Sequence, residues 1–252
     1  MSLQVLSRQS HKNLRLRAPA EPWAFARSRM IAGLVAPELP EAIKSMPVAF
    51  SLHEERANVV ALLGLGAQNL FVGAKGEWLG PYIPAVLRAW PFALVKQGEQ
   101  RVVGLDVQSE AVSETEGEPL FDANGEPGER LQKTVKFLQS FSDQEQVMAR
   151  AVNAIQQAGL LVPWEFTARQ GDGSSINVTG LHQVDRTAFE ALSDEDFLTL
   201  RREGALPVIY AHVFSQRNTH QLEGLARRQA ISAPAEPALP QALYITDDYL
   251  KF

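Results

Sequence analysis

The chain contains no cysteine. That single absence excludes disulfides, thiolate zinc sites, iron–sulfur clusters and cysteine nucleophiles. Long apolar runs are missing too. The longest early one, Met30–Ala36, is broken by Gly33 and falls far short of the ~20 residues of a membrane-spanning helix. No basic start followed by an apolar stretch and a small-residue cleavage site occurs in the first thirty residues, so the expected location is the cytoplasm. Positive charge is not in excess: 24 basic and 29 acidic residues give a net charge of -5, which argues against a general nucleic-acid binder. Nucleotide and hydrolase motifs fail as well. Gly64-Leu65-Gly66 is followed by Asn69 where a dinucleotide fingerprint needs its third glycine, and no Walker lysine motif or Gly-x-Ser-x-Gly elbow occurs. What is present is an ordinary globular composition: 252 residues, 45% hydrophobic and 21% charged, enough to build a sizeable core without staples.

Composition shifts divide the chain into three stretches. Residues 1–45 form a Pro-rich arm, with Pro19, Pro22, Pro37 and Pro40 breaking any long helix. The arm is basic: Arg8, Lys12, Arg15, Arg17, Arg27 and Arg29 face Glu21 alone. Such an arm is read as solvated or partner-facing, with phosphates or an acidic membrane surface as the competing contact. Residues 46–230 are the main domain. Short apolar runs at 48–52, 59–63, 70–72, 92–95 and 102–107 predict strands. Pro84 and Pro91 bracket a short helix over 82–90. Residues 108–130 are acidic and loop-like, with Asn124-Gly125 marking a tight turn.

Helices follow. One carries Leu131, Val135, Leu138 and Phe141; a second is opened by a Ser142/Glu145 capping box, carries Val147, Ala151, Ile155 and Ala158 on one face, and stops at Gly159. Leu160–Trp164 turns the chain, and Gly171–Ser175 leads into a strand over 176–181. Asp185 and Ser193 cap two further helices, the second with Phe197 and Leu200 on its buried side. The last long helix is expected from about Pro207 to Arg228. Residues 231–252 are a Pro-rich linker and an aromatic tail, Tyr244 to Phe252, read as docking onto a second copy to make a homo-oligomer. The fold class is α+β: an antiparallel sheet in the N-terminal half packed by helices from the C-terminal half.

Two places invite chemistry. The segment 78–92 packs Trp78, Tyr82, Arg88, Trp90 and Phe92 among three prolines. Rigid aromatics with an arginine are what binding surfaces favour, and the same residues could equally build an aromatic core with Arg88 bridging backbone carbonyls. Asp122 and Asn124 stand in the nearby turn, which a structural role explains better than a calcium loop. The second place is His53-Glu54-Glu55, half of a two-His-one-carboxylate set. His53 and Glu55 would need His182, His212 or His220 to complete a metal site. His212 and His220 lie ~12 Å apart if one helix carries both. His220 reads as a satisfied, partly buried histidine near the stripe of Leu206, Ile209 and Val213, and Asp185 beside His182 reads as a cap. No cofactor is called for.

The order Gly64-Leu65, Asn69-Leu70-Phe71-Val72, Trp78, Tyr82-Ile83-Pro84 and Leu87-Arg88-Ala89-Trp90-Pro91-Phe92, then Pro119–Gly125, Gly159-Leu160-Leu161 and Gly204-Ala205-Leu206, resembles the bacterial SapC-like family over about residues 40–230. The resemblance implies a surface-layer association by name and brings no established catalytic residues to carry over. It also implies an accessory role near tryptophan-halogenase-like flavoproteins and TonB-dependent receptors, in uptake or peptide modification. The leading expectation is therefore a non-enzymatic binding or accessory protein, its surface formed by Trp78, Tyr82, Arg88, Trp90, Phe92, Asp122 and Asn124. The alternative is an enzyme: a non-haem metal-dependent oxygenase, or a hydrolase of unfamiliar type.

Overall fold

Val48–His53 and Arg56–Leu62 pair as an antiparallel hairpin, with His53 opposite Arg56. The two residues between them, Glu54 and Glu55, have φ of 46° and 64°. Positive φ at both central positions is the type I′ arrangement, whose twist matches that of the strands and which favours Asn-Gly there. This chain uses two glutamates and clamps the turn from outside: the Gln156 amide donates to Glu55 O (2.6 Å) and accepts from the Ala57 N–H (3.2 Å). Glu55 is thus a turn residue. Replacing both glutamates, Glu54→Asn with Glu55→Gly, relieves left-handed strain and should raise stability by about 1 kcal/mol. Thermal denaturation tests this, and an unchanged or lower midpoint would count against strain at the turn.

The computed structural model describes residues 2–98 and 100–232; the 244–252 tail lies outside the described residues. The fold is α+β, and its contacts divide the chain into two units, each assembled from separated stretches.

The first unit joins the chain up to Pro22 with Ala85–Asp143. One antiparallel sheet has the order Leu3–Val5, Gln100–Asp106, Phe92–Gln97, and a smaller one has Val112–Ser113, Arg15–Leu16, Glu118–Pro119. Leu16, Ala89, Phe92, Leu105, Leu120, Phe121, Leu131 and Leu138 form its core. The basic arm is not a free appendage. Arg15–Leu16 is the central strand of the small sheet, with partners drawn from the acidic stretch. Arg15 donates to Gly117 O, Arg17 to Glu110 O and Glu116 Oε2, and Arg8 to Asn124 O. The arm's arginines are therefore met inside one unit by backbone carbonyls of the acidic run, with Arg17–Glu116 as an ion pair. The Arg17–Glu116 pair is exposed, so it orients more than it stabilises.

The second unit joins Trp23–Pro84 with the chain from Gln144. Its five-stranded antiparallel sheet has the order Leu161–Arg169, Ser175–Val184, Val48–His53, Arg56–Leu62, Ile31–Gly33. The helix Ala205–Ser215 packs on the adjacent strands Ser175–Val184 and Val48–His53, and Thr219–Ser232 lies against the edge strand Leu161–Arg169. Phe50, Leu62 and Leu63 are almost fully buried in its core, each worth ~2 kcal/mol in area removed from water.

Several expectations change here. Glu129–Gln157 is one uninterrupted helix; Ser142 sits inside it, accepting from Arg101 at 3.4 Å, so the capping box goes unused because the flanking turns stay helical. The helix buries Met148, Ala151, Val152 and Ile155, leaving Val147 exposed. Residues 70–72 contribute only an isolated bridge, Val72 to Trp78. The segment Leu161–Trp164 enters a strand, not a turn, with a register shift between Trp164 and Phe166. A 3₁₀ turn at Gln216–Asn218 divides the last helix. The caps hold: Asp185 accepts from the Ala188 N–H and Ser193 from the Asp196 N–H.

Candidate aromatic binding site

The aromatic segment 78–92 falls on both sides of the unit boundary at 84/85. In the first unit, Phe92 is a core residue, 4% exposed. Trp90 is half-buried, and exposed Arg88 places its guanidinium over the Phe137 ring at 5.4 Å. Asp122 organises its own turn, its Oδ1 accepting from the Asn124 and Glu126 N–H groups at 2.9 and 2.8 Å. Asn124 contributes its carbonyl to Arg8.

In the second unit, Trp78 and Tyr82 belong to a compact aromatic group. Phe71 stacks on Trp78 with centroids 5.4 Å apart and planes 14° off parallel. Trp23 meets Trp78 edge-on at 5.9 Å and Phe25 at the same distance. Backbone anchors fix this group. The Trp78 indole N–H donates to Tyr82 O (2.7 Å), and the Tyr82 hydroxyl donates to Glu38 Oε1 (2.7 Å). Buried Glu38 accepts the Val35 N–H through its other oxygen (3.0 Å). Trp23 N–H donates to Gly76 O, and Arg27 to Gly73 O and Ala74 O. Gly80 leaves room for the stack: a Cβ there would stand 2.7 Å from the Phe71 ring.

Beneath the stack, Asn69 is 1% exposed. Its side chain donates to Ala26 O (3.1 Å) and accepts the Phe71 N–H (2.9 Å), while its own N–H donates to Arg27 O (2.7 Å). One buried amide thus holds the Phe71 backbone and the segment bearing Trp23 and Phe25. Trp23, Phe25, Trp78 and Tyr82 remain half-exposed and Leu79 beside them is 43% exposed. This is a rigid aromatic surface open on one side. Trp23 and Phe25 were not singled out from sequence; a Trp-x-Phe pair directly after Pro22 was the available signal.

The histidines do not converge. Among the described residues, no group of three His, Cys, Asp or Glu stands in position to hold a metal ion. His53 lies 4.0 Å from Glu54, the carboxylate of its own turn. His220 is exposed, not partly buried, and pairs with Glu223 at 3.5 Å. His182 is on the Ser175–Val184 strand opposite Phe50, its pKa lowered by burial.

His212 is fully buried, at 0% exposure, and its role is structural. The register pairs Leu181 with Ser51 and His182 with Phe50, so its continuation would set Val184 opposite Val48. The two strands part there and the imidazole takes the place of the missing rung. Its Nδ1–H donates to Val48 O (2.7 Å) and its Nε2 accepts the Val184 N–H (3.2 Å). Ser215, one turn on, accepts the Val48 N–H (2.8 Å). Next to it lies a cleft of about 270 Å³ lined by Trp164, Phe166, Gln183, Gln216, His220 and Glu223 among others. That is below the size of an ordinary small-molecule pocket. The Arg169 N–H, donating to Glu223, holds that carboxyl below its usual pKa, and His220 adds to the effect.

No helix among the described residues is long and apolar enough to cross a membrane. No curated protein matches the chain, and no solved structure does. A family model does match, over residues 6–222, a span that takes in both units, the Asn69 anchor and the aromatic group above it. The chain belongs to the SapC family.

Proposed function

We propose that this protein is a non-catalytic binding or accessory component of an envelope-associated, uptake or peptide-modification system. Its contact surface is the group Trp23, Trp78, Leu79 and Tyr82. The observation that supports this is the fixing of two half-exposed tryptophans by backbone hydrogen bonds. Aromatic side chains held in one geometry bury large areas on binding and lose little conformational freedom doing so, and tryptophan and tyrosine dominate the energetically important positions of interfaces. For the oxygenase alternative, the described residues offer no set of three ligands around His53 and Glu55.

The partners to try are the classes implied by the family resemblance, a tryptophan-halogenase-like flavoprotein and a TonB-dependent receptor. Titration calorimetry of the purified chain with each should give a micromolar Kd with one of them. Trp78→Ala should weaken that binding roughly 10-fold or more, and Phe137→Ala, on the other unit, should leave it unchanged. No binding to either partner, or equal binding by Trp78→Ala, would overturn the assignment.

A further inference from the structure

On the second unit, well apart in sequence from the Trp78 group, four rings form a continuous line. Phe189 meets Phe197 at 6.0 Å and Tyr210 at 6.1 Å, and Tyr210 stacks on Phe214 at 6.1 Å with planes 17° off parallel. They come from three successive helices, Arg186–Glu190, Asp194–Arg202 and Ala205–Ser215. The face is open: Phe197 is 36% exposed, Leu198 41%, Tyr210 43% and Phe214 64%. Single exposed apolar residues need no explanation, but a joined set marks a contact surface. Phe197 was expected on the buried side of its helix; Leu200 alone takes that place, at 1% exposure.

The middle helix also says what covers this face. Its first turn carries Asp194, Glu195 and Asp196, and its last carries Arg201 and Arg202. Asp194, Leu198 and Arg201 recur at spacings of four and three, so they lie along one stripe with Phe197 beside it. Leu198 is at the midpoint of Asp194–Arg202. The stripe therefore reads acid, apolar, base in one direction and its complement in the other. Two such helices laid antiparallel about a two-fold axis through Leu198 set acid against base at both ends and apolar against apolar at the centre. A two-fold contact must be self-complementary in this way. The helix dipoles also oppose, each positive end beside the partner's negative end.

We propose that this face is the interface of a homodimer, two copies of the chain meeting through Asp194–Arg202 with Phe197, Leu198, Tyr210 and Phe214 at the centre. It involves none of the residues assigned to partner binding, so either assignment can fail without the other.

The full chain should sediment at about twice its 27.8 kDa mass at ~50 µM, well above the micromolar Kd expected of such a contact. Phe214→Ser should sediment as a monomer. Two charge variants are more specific: Arg201→Glu with Arg202→Glu makes both ends acidic, and Asp194→Lys with Glu195→Lys makes both ends basic while keeping Asp196, which the Ser193 cap contacts. Each alone should be monomeric, and an equimolar mixture should regain the dimer mass. Circular dichroism at the wild-type level establishes that each variant is folded, and the mixture supplies its own check, since an unfolded variant cannot restore pairing. A wild-type chain that is monomeric at this concentration overturns the proposal. So does a dimer that persists in all three variants, because pairing then uses another surface, such as the 244–252 tail.

Discussion

Acidification from pH 7 to about pH 4 should cost the fold roughly 3 kcal/mol through the imidazole of His212 alone. Burial drives its pKa down from the ordinary 6.5 to about 4, with the hydrogen bond to Val48 O opposing the shift. The geometry shows why a second proton is unwelcome: Nε2 already accepts from the Val184 N–H and faces the Gln216 amide nitrogen at 3.2 Å. In the unfolded chain the same group takes up its proton near pH 6.5. Between those two values the unfolded state binds more protons than the folded one, so stability rises with pH across that window. The contribution is fully present above about 6.5 and is lost as pH falls toward 4. His182, also shifted down by burial, acts in the same direction.

His212→Leu separates this effect from general acid sensitivity. At neutral pH the variant should be less stable by about 3–4 kcal/mol, because Val48 O and the Val184 N–H lose their partner in a buried setting. It no longer titrates, however. Urea denaturation at pH 7, 6, 5 and about 4 should show the gap between wild type and variant closing by roughly 3 kcal/mol. A gap of constant size at every pH would show that the imidazole takes up its proton equally in the folded and unfolded states, and would sink the assignment.

The second large effect is expected at the base of the aromatic group. A Cβ on Gly64 would stand 2.2 Å from Gln68 O and 2.2 Å from the Met30 methyl. The methyl can swing aside. The carbonyl cannot, because Gly64 and Asn69 form a backbone bridge that fixes the loop between them. Gly64→Ala should therefore cost about 3 kcal/mol. Asn69→Leu keeps the branched shape and strips out the amide, leaving Ala26 O and the Phe71 N–H without their side-chain partner, for about 2–4 kcal/mol. At this chain length 3 kcal/mol corresponds to a fall in Tm of ~6–12 °C. Asn69→Leu should also change the tryptophan emission of the folded state, since Phe71 stacks on Trp78. A melting curve within a degree or two of wild type, for either variant, would remove these residues from the framework of the site.

These two positions also show how far the residue order alone could go. Gly64 and Asn69 stood out as part of a family pattern, yet their reason is visible only in three dimensions, where Asn69 reaches residues 26 and 27. The hairpin strands at 48–62 and 92–106, the Asp185 and Ser193 caps and the helix stop near Gly159 were readable because each depends on neighbours a few places away. The Ser142 cap failed since a local signal cannot tell whether the helix before it has already ended. Phe197 failed because helical spacing identifies two faces and not which of them meets a core. His212 was considered as a ligand, as its partners Val48 and Val184 are 164 and 28 residues distant. The charge of the arm was legible; that its arginines would be held mostly by backbone carbonyls of the acidic stretch was not.

The interleaving of the two units has a consequence for synthesis. Leu3 pairs with Asp106, and Arg15 with Ser113 and Pro119, so these residues wait about a hundred codons after their own synthesis for their partners. The strand Val48–His53 waits longer for Leu181 and His182, and the rung at Val48 closes only when His212 has emerged. At ~5–20 residues per second, the nascent arm, with its arginines and the Trp23 pair, spends several seconds without the surfaces it is built to meet. That interval exposes it to chaperones and to other copies of the chain on the same message.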